Sequence, residues 1–425
     1  MATPAIHQFS AATADGDGIT NAMLFTQRLL RELGFASEIY AGAVDRALRG
    51  RVHPMAAYPD RPDSILLVHH SMGHVHGPWL TGLTSRKVLV YHNITPPELL
   101  PASGDLRRYA RLGRQQLADW RTMVEAAVAV SPFNARDLTQ SSYAEPHVLP
   151  LLVDLDHIRS TRPDAETLAA RQDTPAFKVL FVGRVVPHKQ QDKLIEAVAH
   201  LRPRLDRPVR LICPGHPGDE RYVARLRQAV AEHGLDGAVD IPGPVDEARL
   251  AAEYRGCDAF CSLSAHEGFG MPLIEAMAAD LPVVAADAGA IPDTLGEGGL
   301  RLAEPDPAAA ADALQLVAED PGLRRRVLQG QRRNLDRFER PTIMAGLRAL
   351  LRALDVSPPK TPDHAGGPPP GLDARVEGPI DSSYSLAIVN RELAKALDRQ
   401  GLRVALRSMN GGAEAAPDPA FLGRD

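Results

Sequence analysis

Cysteine is scarce in this chain. Its 425 residues include three, Cys213, Cys257 and Cys261, and their spacing matches no metal-ligand pattern. Cys213 and Cys261 lie in apolar runs that read as buried strands, so buried free thiols in a reducing compartment are expected. No run approaches the roughly 18 apolar residues of a membrane-spanning helix. The N-terminus lacks the charged region and long apolar run of a secretory signal. A cytoplasmic protein is therefore expected, meeting a membrane only at its inner face. Charge of one sign is lacking too. Lys and Arg number 48 against 53 Asp and Glu, a net charge of −5, so no general affinity for nucleic acid is implied. Hydrophobic residues make up 44% of the chain, enough for ordinary cores. The length allows two or three domains.

What the chain does have is alternation. Short apolar runs recur between helical patterns, the signature of parallel α/β sheets. In the first half, residues 64–68, 87–91 and 126–130 read as buried strands, and 148–153 as the last strand before a crossover. A helix is expected from about Ile19 to Leu33, ending at Gly34, a residue type suited to the position after a helix. The second half restarts with strands at 178–182, 209–213, 239–242, 259–263 and 282–286. Two such halves predict a double Rossmann-like architecture with a ligand cleft between them. Functional residues should then follow strands, because ligands lie outside the carboxyl ends of strands in open parallel sheets. The expected domains are 1–170 and 171–340, followed by a helix at 341–355. Residues 356–373 read VSPPKTPDHAGGPPPGLD, too rich in Pro and Gly for a packed element. Beyond this linker the N-terminal pattern returns. Leu30, Gly34, Phe35 and Ile39 correspond to Leu397, Gly401, Leu402 and Leu406. Residues 374–425 therefore read as the partial start of a second, similar module, the alternative being a tail that borrows one strand and helix.

The most informative segment runs from Ser264 to Met277, SAHEGFGMPLIEAM. Glu267 precedes a Gly-x-Gly turn, and Glu275 lies in the apolar helix that follows. Strand, glycine turn and helix offer backbone N–H groups and a positive helix end to an anion. Carboxylates so placed suit sugar and ribose hydroxyls. Glutamates in a first helical turn also serve as simple caps. A second motif, residues 181–189 (FVGRVVPHK), ends a strand at Gly183 and presents Arg184 and Lys189 before a helix. An Arg fork and a Lys point charge suit phosphate oxygens, although two solvated surface cations would look the same.

Together these segments resemble the E-x7-E and G-R-x4-K motifs of retaining glycosyltransferases of family 4, over about residues 5–355. The resemblance implies the GT-B fold, with the helix at 341–355 crossing back to the first domain. It implies that Glu267 contacts the donor sugar and Glu275 the nucleotide ribose. Arg184 and Lys189, beside Gly183, would hold the donor diphosphate. Backbone groups at Gly268, Phe269, Gly270 and Met271 would face the donor. Gly215 and the Gly243-Pro244-Val245 loop would wrap the nucleotide base, though as turns they need no function. His92, just past a strand, resembles the family's histidine over the donor sugar, where a neutral imidazole bonds a hydroxyl or shuttles a proton. Arg184, Lys189, Glu267 and His92 are thus the expected catalytic residues.

Acceptor contacts are expected from Gly18 and Asn21 in the Asp15–Asn21 loop and from His70 at a strand end. Arg107 and Arg111 join them, on a helix that also carries Arg108, Arg114 and Arg121. That helix is read as a solvated face, or as one meeting anionic lipid. His69, His70, His74 and His76 lack carboxylate or Cys partners, so no metal site is expected, and no cofactor is needed. The implied partners are a nucleotide-diphosphate sugar, with GDP-mannose favoured by the EGFGMP segment, and a glycan or lipid-linked acceptor. A GT-B-fold sugar-nucleotide epimerase and a non-catalytic binding module remain the alternatives.

Overall fold

The apolar runs of the first half assemble into one parallel sheet. A computed structural model describes residues 5–101, 104–358, 373–377 and 403–407. The strands are β1 (Ile6–Ala12), β2 (Ile39–Ala43), β3 (His53–Pro54), β4 (Ile65–His70), β5 (Arg86–Tyr91), β6 (Ala126–Ala129) and β7 (His147–Val148). Their order is β3-β2-β1-β4-β5-β6-β7. All six residues of β4 are buried, as expected of a central parallel strand covered on both faces. The second half repeats the design with β8 (Phe177–Leu180), β9 (Val209–Pro214), β10 (Val239–Gly243), β11 (Ala259–Ser262), β12 (Val283–Ala286) and β13 (Leu300–Leu302). These run in the order β10-β9-β8-β11-β12-β13. In each sheet the order reverses beside the first strand of that half, and crevices for ligands open at the carboxyl ends there.

Local chemistry sets the helix ends. The helix Gly18–Glu32 is capped by Asp17, whose side chain accepts from Thr20 N at 3.0 Å. It stops at Gly34, whose φ of 88° needs no Cβ. The helix Arg340–Ala353 follows the second half in sequence but packs on the first. Its Ile343, Leu347, Leu350 and Leu351 join Phe25, Leu29 and Leu30 in one core. Each such side chain contributes about 1.5–3 kcal/mol when fully buried, so the chain is firmly tied back across the cleft.

The run at 148–153 departs from expectation. β7 covers only His147–Val148. Leu149 N still donates to Ala129 O at 3.0 Å, but Pro150 has no N–H and cannot extend the ladder. Leu151, Val153 and Leu155 instead join the core of the second half. The three cysteines are buried free thiols. Among the described residues no helix is long and apolar enough to cross a membrane.

Residues 358–425 form a separate unit. In it β14 (Asp373–Glu377) and β15 (Arg403–Arg407) pair in parallel, with Asp373 opposite Arg403 and Glu377 opposite Arg407. The helix expected between them, and most of the Pro/Gly-rich linker, lie outside the described residues.

Candidate functional site

The loop leaving β11 is held by its own carbonyls. Asn134 Nδ2, from the first half, donates to Gly268 O at 2.8 Å. Thr294 Oγ1 donates to Phe269 O at 2.5 Å, and Ala290 N to Glu267 O at 2.9 Å. Two glycines permit these close approaches. A Cβ on Gly289 would lie 2.3 Å from Glu267 O, and one on Gly268 would lie 2.5 Å from His92 O. His266 Nε2 meets Asn93 Oδ1 at 2.8 Å. Gly270, with φ of 87°, turns the chain into the helix Met271–Ala278. The leading N–H groups of a helix have no intrahelical acceptor, although Pro272 contributes none.

Lys189 and Glu267 meet directly. Lys189 Nζ lies 2.6 Å from Glu267 Oε1, both side chains being mostly buried. Ala265 N donates to His188 O at 2.8 Å, so the two predicted motifs form one wall. Gly183 and Gly215 pack backbone on backbone, and a Cβ on Gly215 would fall 1.8 Å from Gly183 O. Arg184 is steadied by Gln191 Nε2 donating to its carbonyl at 2.9 Å, and its guanidinium lies beside Gly218. Gly215 N donates to Gly243 O at 2.9 Å, bringing the loops after β9 and β10 together. Pro244 is exposed.

Glu275 lines a groove of about 930 Å³ between the two halves. Val245, Leu250, Tyr254 and Met271 share its wall, with Gly16, Asn21 and Arg28 opposite. Gly18 touches Met271, since a Cβ there would lie 2.6 Å from the Met271 sulfur. The structure thus brings Gly18 and Asn21, expected at the acceptor, beside Met271 and Glu275, expected at the donor. Tyr254 OH donates to Glu275 Oε2 at 2.6 Å. Burial raises the Glu275 carboxyl above its ordinary value, and the Tyr254 hydrogen bond pulls it partly back.

His92 is buried against the loop that carries Gly268, and its Nε2 lies 2.8 Å from His69 Nδ1. Burial holds His92 well below its ordinary pKa and lowers His69 to about 3. Burial also lowers His188 and His266 to about 4. These imidazoles are therefore neutral at neutral pH, and Lys189 and Arg184 supply the positive charge of the site.

His70 is placed differently from expectation. It is fully buried, with Nε2 3.1 Å from Gly113 O and its ring 4.7 Å from that of Trp120. Consecutive strand residues point to opposite faces, so His69 and His70 cannot share the cleft. The arginine helix is also less basic on its surface than its sequence suggests. Arg114 turns inward to Asp137 at 2.6 Å and to Ile94 O at 2.9 Å, and Arg107 donates to Leu100 O at 2.7 Å. Arg108 pairs with Asp105, and Arg111 is exposed. Among the described residues no group of three His, Cys, Asp or Glu side chains is placed to hold a metal.

Sequence reasoning missed Tyr254, Asn93 and Asn134. Each acts across 21 residues or more, and no local pattern marks such a contact.

Comparison with known proteins bears on the fold and the second half of the chain. Residues 168–333 match the model of the family described as Glycosyl transferases group 1. A D-inositol 3-phosphate glycosyltransferase of Streptomyces bingchenggensis is 29% identical over 295 residues, 65% of this chain and 64% of that protein. The same enzyme of Jonesia denitrificans is 30% identical over 257 residues, 57% of this chain and 59% of that protein. The chain thus spans less than two thirds of the length of these curated relatives. The structure of Anabaena Alr3699/HepE in complex with UDP-glucose matches with a TM-score of 0.64 at 18% identity, covering 82% of this chain and 99% of that one. Sucrose-phosphate synthase from Thermosynechococcus elongatus matches with a TM-score of 0.65 at 19% identity, covering 83% and 99%. The fold is GT-B: two Rossmann-like domains with parallel sheets, whose structural neighbours are GT-B glycosyltransferases.

Proposed function

We propose that this protein is a retaining glycosyltransferase that moves a hexose from a nucleotide-diphosphate sugar to a glycan or lipid-linked acceptor. One observation carries the reading. Glu275, Met271 and Val245 share a groove with Gly16 and Asn21 of the other half, and Glu267, paired with Lys189 from the segment after β8, stands on the loop that leads into the same helix. Lys189 and Arg184 stabilise the charge on the departing diphosphate. Glu267 binds the sugar once Lys189 turns to phosphate, and Glu275 takes the ribose hydroxyls.

A double displacement needs a carboxylate nucleophile at the anomeric carbon. The two carboxylates of the motif are engaged, Glu267 with Lys189 and Glu275 with Tyr254. A front-face reaction fits better. The acceptor oxygen bonds to the anomeric carbon as the bond to phosphate breaks, and the acceptor proton passes to the leaving phosphate. That chemistry needs no metal.

The EGFGMP segment supports GDP-mannose as donor, while the structural neighbour holding UDP-glucose supports a UDP-hexose. The relatives' names add a phosphorylated inositol to the acceptors worth testing. The parallel pairing of β14 with β15 supports reading 374–425 as the opening of a second module. Exposed Arg111 supports a weak contact with anionic membrane at the cytoplasmic face.

The test is a panel of GDP-, UDP- and dTDP-hexoses incubated with the protein in a chelator, with and without acceptors. Acceptor-dependent release of nucleotide with an α-linked product supports the proposal. A free epimerised nucleotide sugar would make the protein an epimerase, and binding without turnover a binding module.

A further inference from the structure

A chain of hydrogen bonds behind His92 starts at a backbone carbonyl. Gln8 Nε2 lies 2.9 Å from Met23 O. A carbonyl oxygen only accepts, so the amide nitrogen of Gln8 must face it and the amide oxygen must point away. That oxygen meets His69 Nε2 at 3.1 Å, so His69 carries its proton on Nε2. A neutral imidazole has one N–H, and His69 Nδ1 is therefore an acceptor. The 2.8 Å contact to His92 Nε2 then requires His92 to donate. His92 Nδ1 is left without a proton, and it is buried with no partner.

We propose that Gln8 and His69 are positioning residues that hold His92 as its Nε2–H tautomer, keeping Nδ1 as a bare acceptor for a substrate hydroxyl. The role of that hydroxyl rests on the glycosyl-transfer reading above. The assignment of the proton does not.

The surroundings enforce the relay. Gln8 and His70 are fully buried, and His69 and His92 nearly so. The void of about 40 Å³ beside the two rings is walled by Ala22, Leu67, Val90 and Leu151. Thr26, also on that wall, already donates its hydroxyl to Ala22 O at 2.7 Å. Among the described residues, the only polar side chains lining this void are Thr26 and the two histidines themselves. The ring centroids lie 5.1 Å apart with planes at 19°, and the 2.8 Å separation of the two nitrogens is within hydrogen-bonding distance. A buried acceptor left unpaired is unfavourable; His92 Nδ1 is one of several such side-chain atoms among the described residues, and a substrate hydroxyl donating to it would relieve that cost. His92 also sits where the first half touches the donor loop, its carbonyl against Gly268.

Long-range ¹H–¹⁵N spectra of the histidine-labelled full chain, without ligand, read the tautomers directly. The expected result is a pyridine-like Nδ1 and a pyrrole-like Nε2 on both His69 and His92. A proton on His92 Nδ1, or a cationic His92 at neutral pH, overturns the proposal. Gln8→Leu removes the acceptor, whereas Gln8→Glu retains it, since a carboxylic acid can donate to Met23 O and accept from His69. With the preferred donor, kcat of Gln8→Leu should fall about ten- to a hundredfold, as for loss of other orienting partners. KM for the donor should stay near the wild-type value, and Gln8→Glu should restore most of kcat. Wild-type kcat in Gln8→Leu would refute the positioning role. If Gln8→Leu does not fold, the wild-type spectra still decide. If the wild type turns over no donor, the glycosyl-transfer reading fails while the spectra judge the relay by themselves.

Discussion

Replacing Tyr254 by phenylalanine removes one hydroxyl and leaves the buried ring in place. That hydroxyl donates to Glu275 Oε2 at 2.6 Å. Burial raises the Glu275 carboxyl above its ordinary value of 4.5, and the Tyr254 hydrogen bond opposes that rise. A hydrogen bond to a charged acceptor contributes about 1.5–3 kcal/mol. Its loss therefore lets burial raise the Glu275 carboxyl further and lowers the carboxylate-to-acid ratio. The sign follows from linkage. A carboxyl whose folded pKa is raised stabilises the fold fully below its unfolded value and loses that contribution as pH rises through the folded value. In Tyr254→Phe the folded value moves higher, so the loss comes at higher pH. If ribose hydroxyls donate to the Glu275 carboxylate, nucleotide binding has an acid limb, and the variant shifts that limb upward. Calorimetric titration of a nucleoside diphosphate across a series from acid to neutral pH reads this. Tyr254→Phe should bind more weakly than wild type at low pH and recover as pH rises. An unchanged limb, or a loss equal at every pH, would refute the coupling and leave only a packing effect.

Two further perturbations test other parts of the site and its scaffold. Lys189→Ala should lower affinity for a nucleoside diphosphate about tenfold or more, the range of one charge-assisted hydrogen bond, with nucleoside monophosphate binding little changed; equal losses for both would move Lys189 off the distal phosphate. Arg171→Met strips Glu253, whose side chain is fully buried, of a two-pronged partner at 2.7 and 2.8 Å. Chemical denaturation should show a loss of about 3–5 kcal/mol, and a loss well under 1 kcal/mol would mean that Glu253 finds another partner or water.

The alternation of apolar runs was enough to predict two parallel sheets, because strand and helix periods are local properties of the chain. The helix Gly18–Glu32 was legible for the same reason. Gly34 terminates it by turn chemistry within a few residues. The motif carboxylates and cations were legible as residue types following strands, since parallel sheets put such loops at the crevice.

Tertiary structure decided what those residues touch. Lys189 and Glu267 are 78 positions apart in the sequence, and only the adjacency of β8 and β11 brings their loops together. Tyr254 reaches Glu275 because the helices Glu247–Gly256 and Met271–Ala278 flank the same groove. His69 and His70 show the division most plainly. Strand geometry dictates that they point to opposite faces. Which face meets His92 and Gln8, and which meets Trp120, depends on how the crossovers wind around the sheet, and that is a property of the assembled fold.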